Sequence, residues 1–296
     1  MKSLEKKKKR LGYIFITPAV VIILCVLLFP LLYALYLSFF NVTLGRTMNL
    51  NFIGLANYFE VLKDPDWWKA FVHTLYFVVA DVMVGIPLGF LCALTLNKKY
   101  PLKPLIVGIV MFPYILPPIV NALLWKLIYN PDYGFLNSTL INLGLIKDPI
   151  YWLISPNLAL IALIIANLWQ GTAFATIIYL GGLQSIPFEL YEASKIDGAT
   201  KRKTLRYITI PLMKPYTSLL LVMKTILTFK IFEIVYLLTG GGPGGSTTVV
   251  SYQIYHAAFE AFKFGKASAM SYILLCIVAI IVFVYQKILG SESSIL

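Results

Sequence analysis

Charged side chains occur inside stretches of this sequence that are otherwise apolar. Asp81 interrupts one such stretch, and Lys224, Lys230 and Glu233 interrupt another. A charge at the centre of a membrane costs about 2.5 to 3.5 kcal/mol on insertion scales, so such residues usually face a protein interior or a wet cavity. They are therefore candidates for contact with a polar solute. A structural alternative stays open for Lys230 and Glu233, because i, i+3 neighbours on one helix face could simply neutralise each other.

Amide and aromatic side chains form a second group of candidates. Asn167, Trp169 and Gln170 lie within one helical turn, and Asn121 follows Pro117 and Pro118. Sugars present apolar C–H faces edged by hydroxyl groups, which aromatic rings and planar amides recognise. We therefore predict a substrate pathway lined by Asn121, Asn167, Trp169, Gln170, Lys230 and Glu233. Trp169 could instead belong to an aromatic belt at the membrane interface.

The elements that carry these residues are apolar runs long enough to cross a membrane. The chain has 296 residues, of which 59% are hydrophobic and only 13% charged. A bilayer core roughly 30 Å thick needs about 20 apolar residues in a helix, and six runs qualify, near 12–40, 71–96, 104–129, 157–183, 213–239 and 267–286. The prolines at 113, 117 and 118 interrupt the third. The sequence predicts an all-α membrane protein with six transmembrane helices, the first retained as a signal anchor.

The distribution of basic residues predicts the orientation of these helices. With the N-terminus inside, the inner segments hold sixteen of the 25 Lys and Arg residues and the outer loops hold six, or seven with Lys126. Positive residues resist translocation, so both termini are predicted to be cytoplasmic. Contact with anionic lipids of the inner leaflet explains the net charge of +12 without any nucleic-acid partner.

Signals for an enzyme are missing from the sequence. There is no G-x4-G-K-(S/T) loop for nucleotide phosphates, no nucleophile elbow and no H-E-x-x-H motif. His73, His256 and the three cysteines stand apart, at spacings that suit neither a metal site nor a disulfide framework. We therefore expect no catalytic residue, no metal and no cofactor bound by this chain.

A polar segment between the fourth and fifth runs has a distinctive spacing. Glu192-Ala193-Ser194 is followed after three residues by Gly198, and after nine more by Ile208-x-Ile210-Pro211. Pro187 and Gly198 predict the start and stop of a short helix, 187–197, with a second basic helix over 201–207 and Pro211 and Pro215 at the start of the next span. On these grounds alone, a surface helix that anchors to lipid headgroups through Lys201, Arg202, Lys203 and Arg206 explains the segment equally well.

The spacing E-A-(A/S)-x3-G-x9-I-x-(L/I)-P resembles the cytoplasmic coupling loop of ABC importer permeases. The match runs from Tyr191 to Ala199 and on to Ile210-Pro211, with Ser194 and Ile210 as its departures. The resemblance implies a type I importer permease fold and a loop that docks into the ATP-binding subunit. It also implies coupling roles in which Glu192 and Asp197 make polar contacts, Ala193 and Ser194 permit close approach, and Gly198 forms the turn, with Ile210 and Pro211 completing the motif.

A second resemblance narrows the subfamily. The stretch from Phe229 to Pro243, which ends in Leu-Leu-Thr-Gly-Gly-Gly-Pro, is similar to carbohydrate-uptake permeases of the maltose and glycerol-phosphate type. The resemblance implies that an outer loop containing Gly241, Gly242, Pro243 and Gly244 faces an extracellular solute-binding protein. The alternative is a plain flexible linker. The ordering cost of glycine predicts that this loop is mobile on its own.

Together these features predict one permease domain, residues 12–290, with a coupling loop at about 187–212 and cytoplasmic tails at 1–11 and 291–296. By resemblance its partners are a second permease, a dimer of ATP-binding subunits that uses the ATP, a solute-binding protein and membrane lipid. We expect this chain to import a sugar or sugar derivative across the cell membrane. Permeation of a non-sugar solute by an ABC importer, or ion-driven secondary transport, are the alternatives.

Overall fold

The computed structural model describes residues 11, 13, 15–44, 48–98 and 100–289. It is helical apart from one small hairpin and resolves into two compact units, which are treated separately below. The predicted tails at 1–11 and 291–296 lie outside the described residues, except Leu11.

The first unit contains the segment up to Asp64 and residues Ile254–Leu275. Helix α1 spans Phe15–Ser38, and β1 (Phe40–Leu44) pairs antiparallel with β2 (Met48–Phe52), Val42 opposite Leu50. Helix α2 (Ala56–Lys63) follows. The Asn57 amide donates to the carbonyls of Ser38 and Phe40 at 2.8 and 2.9 Å, so it ties α2 to the point where α1 ends and the hairpin begins.

The second unit contains Pro65–Gln253 and the chain after Leu275. Its helices are α3 (Pro65–Leu96), α4 (Lys103–Ile115), α5 (Pro118–Ile128), α6 (Phe135–Asn142), α7 (Pro156–Ser185), α8 (Phe188–Ile196), α9 (Lys201–Thr204), α10 (Ile210–Phe229), α11 (Glu233–Leu238) and α12 (Val250–Tyr255). A wide helical turn, Leu205–Thr209, joins α9 to α10 without a gap. The last residues of α12 belong to the first unit, as do His256–Glu260, which extend it, and α13 (Phe264–Leu289) begins in the first unit and ends in the second.

Helix α7 is the centre of the second unit, in contact with α3, α4 and α10. Small side chains make this possible, because they allow helix backbones to approach closely in a membrane protein. At Gly89 of α3, an added Cβ would lie only 2.5 Å from the Ala175 Cβ of α7. Nearer the start of α7, Ala162 and Ala166 are buried in a core with Phe77 and Val235.

Four helices are long and apolar enough to cross a membrane among the described residues: α1, α3, α7 and α13. The third predicted run is divided into α4 and α5, which meet at an angle of 100° at the prolines. If that pair counts as one broken span, the number is five. The part of the chain that the structure describes therefore contains four or five candidate spans and does not confirm the predicted six.

The prediction of one continuous run over 213–239 is wrong. Helix α10 ends at Phe229, and Lys230 and Phe232 leave helical geometry before α11 begins at Glu233. The Ser251 hydroxyl donates to the Ile231 carbonyl, which satisfies a backbone group that the break has freed. At the other end, α10 begins at Ile210 with Pro211 in its first turn, although helical turns already run on from Lys201 without a gap.

Candidate functional site

A cavity of about 400 Å³ lies among α3, α4, α5, α7, α10 and α11 in the second unit. Asp81 lies at the middle of the 32-residue helix α3, and Asn167 and Gln170 at the middle of the 30-residue helix α7. The cavity therefore reaches the central depth of the two long helices that border it. Its lining includes five of the six predicted pathway residues, namely Asn121, Asn167, Gln170, Lys230 and Glu233.

A buried ion pair forms one wall of the cavity. Lys224 Nζ lies 2.7 Å from Asp81 Oδ1, with both side chains at least 95% buried. Asn167 donates to Asp81 Oδ2 at 3.1 Å, and Thr228 donates to the same oxygen. Because a buried charge is stable only when it is paired and hydrogen-bonded, these four residues join α3, α7 and α10 at one polar point.

Close packing at Gly171 makes room for the ion pair. An added Cβ on this residue would overlap Lys224 Nζ and would lie 2.8 Å from Asp81 Oδ1. The glycine therefore lets the ammonium group lie against the backbone of α7. A charged side chain from another helix therefore explains why a glycine occupies this position.

An amide chain forms a second wall. Gln170 Nε2 donates to the Leu116 carbonyl at 2.8 Å, and Asn121 Nδ2 donates to Gln170 Oε1 at 3.1 Å. Leu116 lies at the proline break between α4 and α5, where a free carbonyl can only accept a hydrogen bond. The direction of the chain is therefore fixed, and it leaves Asn121 Oδ1 as an acceptor with no partner among the described residues.

Aromatic rings complete the lining, but they are not the ring that the sequence predicts. Tyr114 and Phe174 line the cavity and stack with ring centroids 5.2 Å apart. Trp169 does not line this cavity, and its ring packs edge-on against Trp125, with centroids 5.8 Å apart. Contact of Trp169 with the solute stays a prediction. On a helix, residues 167, 170, 171 and 174 share one face, and residue 169 points well away from it.

Lys230 and Glu233 both line the cavity, on either side of the break between α10 and α11. The alternative in which they neutralise each other on one helix face is wrong, because no continuous helix joins them and no ion pair between them occurs among the described residues. The buried ion pair of this site is instead Asp81 with Lys224. These two were singled out as charges inside apolar runs, but their pairing has no signal in the sequence.

The segment with the coupling-type spacing folds as a helix, a turn and a second helix. Helix α8 covers Phe188–Ile196, close to the predicted 187–197, and Gly198 has φ +70° at its end. Such a left-handed turn favours glycine. Ser194 is buried, and its hydroxyl lies 3.3 Å from that of Thr204, so it fixes α8 against α9.

The remaining motif residues face outward. Glu192, Ala193 and Asp197 are exposed on α8, as are Ile210 and Pro211 at the start of α10. Ile196 is 86% exposed and Tyr207 is 68% exposed, although both are apolar or aromatic. A hollow of about 300 Å³ lies between the two helices, with Ala193, Asp197 and Tyr207 in its lining. Exposed apolar residues around a short helix are typical of a surface that another protein covers.

The glycine-rich loop that contains Gly241–Gly244 is not an unstructured linker. The Thr247 hydroxyl is fully buried, donates to the Gly242 carbonyl at 2.7 Å and lies 2.7 Å from the Thr239 hydroxyl. The Thr248 hydroxyl donates to the Gly241 carbonyl. Gly242 and Pro243 are partly buried, and Gly244 is exposed. The prediction of a mobile loop overlooked these threonines, which satisfy the carbonyls that the glycines expose.

Comparison with known proteins identifies the family. A family model described as the binding-protein-dependent transport system inner membrane component matches residues 85–290. The chain belongs to this family of membrane permeases. It is 35% identical over 290 residues to the trehalose/maltose transport system permease protein MalF of Thermococcus litoralis, a match that covers 97% of this chain and 96% of that protein.

Solved structures agree with this assignment. A chain in the crystal structure of a bacterial ABC transporter that imports the acidic polysaccharide alginate matches with a TM-score of 0.85 at 25% identity, over 99% of this chain and 100% of that one. A second structure of a bacterial alginate ABC transporter, in complex with an alginate pentasaccharide-bound periplasmic protein, gives a TM-score of 0.82 at 25% identity and covers 96% and 95% of the two chains.

Proposed function

We propose that this chain is the permease subunit of an ATP-driven ABC importer and that it passes a sugar or sugar derivative through the cavity between α3, α4, α5, α7, α10 and α11. The observation that carries the proposal is the lining of this cavity at the middle of long apolar helices. It combines amide side chains with a stacked aromatic pair, the combination that suits hydroxyl groups and apolar ring faces.

The names of related proteins support a sugar as the solute. MalF of Thermococcus litoralis is named for trehalose and maltose, and the transporter with the similar chain imports alginate. A polar cavity alone would also suit an ABC permease for another solute. Ion-driven transport is disfavoured, because it leaves the exposed α8–α9 segment without a partner.

The proposal includes the rest of the assembly. A second permease completes the pathway, two ATP-binding subunits consume the ATP, and an extracellular solute-binding protein delivers the sugar. The α8–α9 segment contacts the ATP-binding subunit through Glu192, Asp197 and the exposed Ile196. The loop at Gly241–Gly244 faces the binding protein. This arrangement requires a type I importer fold with both termini in the cytoplasm, in which α4 with α5 and α10 with α11 act as broken spans that bring the number of spans to six.

ATP-driven uptake by the reconstituted complex tests this function. Proteoliposomes that contain both permeases and the ATP-binding subunits receive the binding protein and one labelled solute at a time. The solutes are maltose, trehalose, lactose, glutamine and inorganic phosphate. Uptake of a sugar that requires ATP and the binding protein supports the proposal. Uptake of only glutamine or phosphate, or sugar uptake driven by an ion gradient without ATP, contradicts it.

A further inference from the structure

Four charged side chains line the proposed sugar cavity, and they divide into two kinds. Asp81 and Lys224 are paired with each other at 2.7 Å and are almost fully buried. Lys230 and Glu233 also line the cavity, but neither side chain has an ion pair or hydrogen bond with any residue that the structure describes. Asp81 and Lys224 therefore hold helices together, whereas Lys230 and Glu233 are available to contact a solute.

The position of Lys230 and Glu233 follows from the helix break. Lys230 directly follows the last residue of α10, and Glu233 is the first residue of α11. The break separates the two side chains so that each reaches the cavity independently. Lys230 is exposed and Glu233 is half-buried. A charge left without a protein partner inside a membrane-spanning region is costly and usually marks a functional site.

The signs of these charges limit what the cavity accepts. Two carboxylates and two ammonium groups give the lining a balance of zero. An acidic solute is attracted by Lys230 but repelled by Glu233. A cationic solute is attracted by Glu233 but repelled by Lys230. A neutral polyhydroxyl solute suffers neither repulsion, because its hydroxyl groups can donate to Glu233 and accept from Lys230 at the same time.

A zwitterionic amino acid could also satisfy both charges. It would leave unused the amide groups of Asn121, Asn167 and Gln170 and the stacked rings of Tyr114 and Phe174. The volume of about 400 Å³ falls within the roughly 300–1,000 Å³ of small-molecule sites. A ring solute with several hydroxyl groups makes use of the whole lining, so the lining favours a saccharide over an amino acid.

We infer that Lys230 and Glu233 together form a charge filter that makes this cavity select uncharged saccharides over acidic and amino sugars. The inference rests on the proposed sugar pathway and adds the class of sugar to it. It also distinguishes this chain from the similar chain of the transporter that imports an acidic polysaccharide.

Direct binding to the transporter isolates this filter from the selectivity of the binding protein. The full complex of permeases and ATP-binding subunits is purified in detergent without binding protein or ATP. It is then titrated calorimetrically with three disaccharides of similar size: maltose, a disaccharide of two uronic acids and a disaccharide of two amino sugars. We expect maltose to bind at least about tenfold more tightly than either charged disaccharide.

Removal of one of the two charges should improve binding of one charged disaccharide, and removal of the other charge should improve binding of the other. Glu233→Gln should improve binding of the uronic disaccharide relative to maltose by about three- to tenfold, and Lys230→Gln should do the same for the amino disaccharide. The double variant, which restores the charge balance, should prefer maltose again. Glu260→Gln and Lys69→Gln are the matched controls, because neither residue lines the cavity, and both should keep the native preference. Ratios of affinities within one variant do not depend on how much of it folds.

Several results would overturn the inference. They are a native preference for a charged disaccharide, unchanged ratios in Glu233→Gln and Lys230→Gln, and no saturable binding of any of the three. If ATP-driven sugar uptake persists alongside such a result, the sugar importer stands and only the filter fails. If glutamine binds more tightly than maltose and is the solute taken up, both the filter and the sugar pathway fail.

Discussion

At the scale of single residues, the site depends on groups that are far apart in sequence. Asp81 and Lys224 form an ion pair that almost no solvent reaches, and Asn167 and Thr228 hydrogen-bond to the same carboxylate. Such a pair does not add much stability by itself, because the loss of hydration offsets the attraction. Its effect is specificity, since the ion pair and both hydrogen bonds require side chains of α3, α7 and α10 to meet at one point.

Removal of one partner of this pair should therefore cost more than removal of both. Asp81→Asn leaves the Lys224 charge uncompensated and should lower the free energy of unfolding by about 3 to 5 kcal/mol. Asp81→Asn with Lys224→Met should recover most of that loss. Thermal unfolding of the detergent-purified chain measures both. Glu60→Gln is the comparison, because Glu60 pairs with Lys266 on the surface of the first unit and should change stability by about 0 to 1 kcal/mol. Equal losses in the single and double variants would contradict this account.

Two glycines of α7 should respond differently to the same substitution. Gly171→Ala places a methyl group against Lys224 Nζ and Asp81 Oδ1, so we expect a loss of about 1 to 3 kcal/mol. Gly181→Ala meets no atom within 4 Å and should be neutral or stabilise the helix by up to about 1 kcal/mol. Unfolding midpoints of the two variants test this contrast, and a harmless Gly171→Ala would show that α7 can shift away from the ion pair.

At the scale of elements, breaks in helices place the functional groups. The bend between α4 and α5 frees the Leu116 carbonyl that orients Gln170 and Asn121. The break between α10 and α11 directs Lys230 and Glu233 into the cavity. Non-helical backbone at membrane depth is tolerated where it is buried in protein or lines a cavity, and both breaks border the cavity.

The turn at Gly198 should be essential for coupling and dispensable for folding. Gly198→Pro demands a φ of about −65° where the native value is +70°, and it removes the bond from the Gly198 N–H to Lys195. We expect sugar-stimulated ATPase activity of the reconstituted complex to fall at least about tenfold while assembly persists.

Gly144→Pro is a closely matched control for this variant. Gly144 also has φ +70° and donates to the residue three positions earlier, and the residue before it has nearly the same backbone angles as Asp197. Gly144→Pro should therefore destabilise its own turn as much as Gly198→Pro does, but sugar should still stimulate the ATPase activity of the complex. Equal loss in both variants would attribute the effect to general destabilisation rather than coupling.

The outer loop should depend on one buried hydroxyl. Thr247→Val removes the donor to the Gly242 carbonyl and should cost about 1 to 3 kcal/mol locally. We expect faster amide hydrogen exchange over 240–248 and weaker stimulation by the binding protein. Ser246→Ala is the control, because the Ser246 hydroxyl has no partner among the described residues. Native stimulation in Thr247→Val despite faster exchange would show that the loop's order does not matter for the binding protein.

At the scale of the whole molecule, the proposed orientation places the turn at Lys98 on the cytoplasmic side, together with the coupling segment, and the loop at Gly241–Gly244 on the outer side. This can be tested after the three native cysteines, Cys25, Cys92 and Cys276, are replaced by serine. A membrane-impermeant maleimide should label Gly244→Cys in intact cells, and Lys98→Cys only after permeabilisation, since both positions are exposed. Labelling of both positions from the same side would refute the proposed topology.

The sequence by itself determined the features that depend on local patterns. Its apolar runs predicted a helical membrane protein, and the spacing from Pro187 to Gly198 predicted α8 and its turn within about one residue. Both follow from local physics, because helix periodicity, a proline start and a glycine stop act over a few residues. The permease family was also recognisable from the same segment.

The tertiary structure alone decided how the candidate residues meet. The pairing of Asp81 with Lys224, the choice of Tyr114 and Phe174 rather than Trp169, and the ends of α10 and α11 depend on contacts between distant segments. No local pattern encodes them, because a charge in an apolar run shows that a partner is needed without showing which residue supplies it. Packing against α7 selects that partner, since Gly171 leaves room there for Lys224 Nζ and Asn167 donates to Asp81.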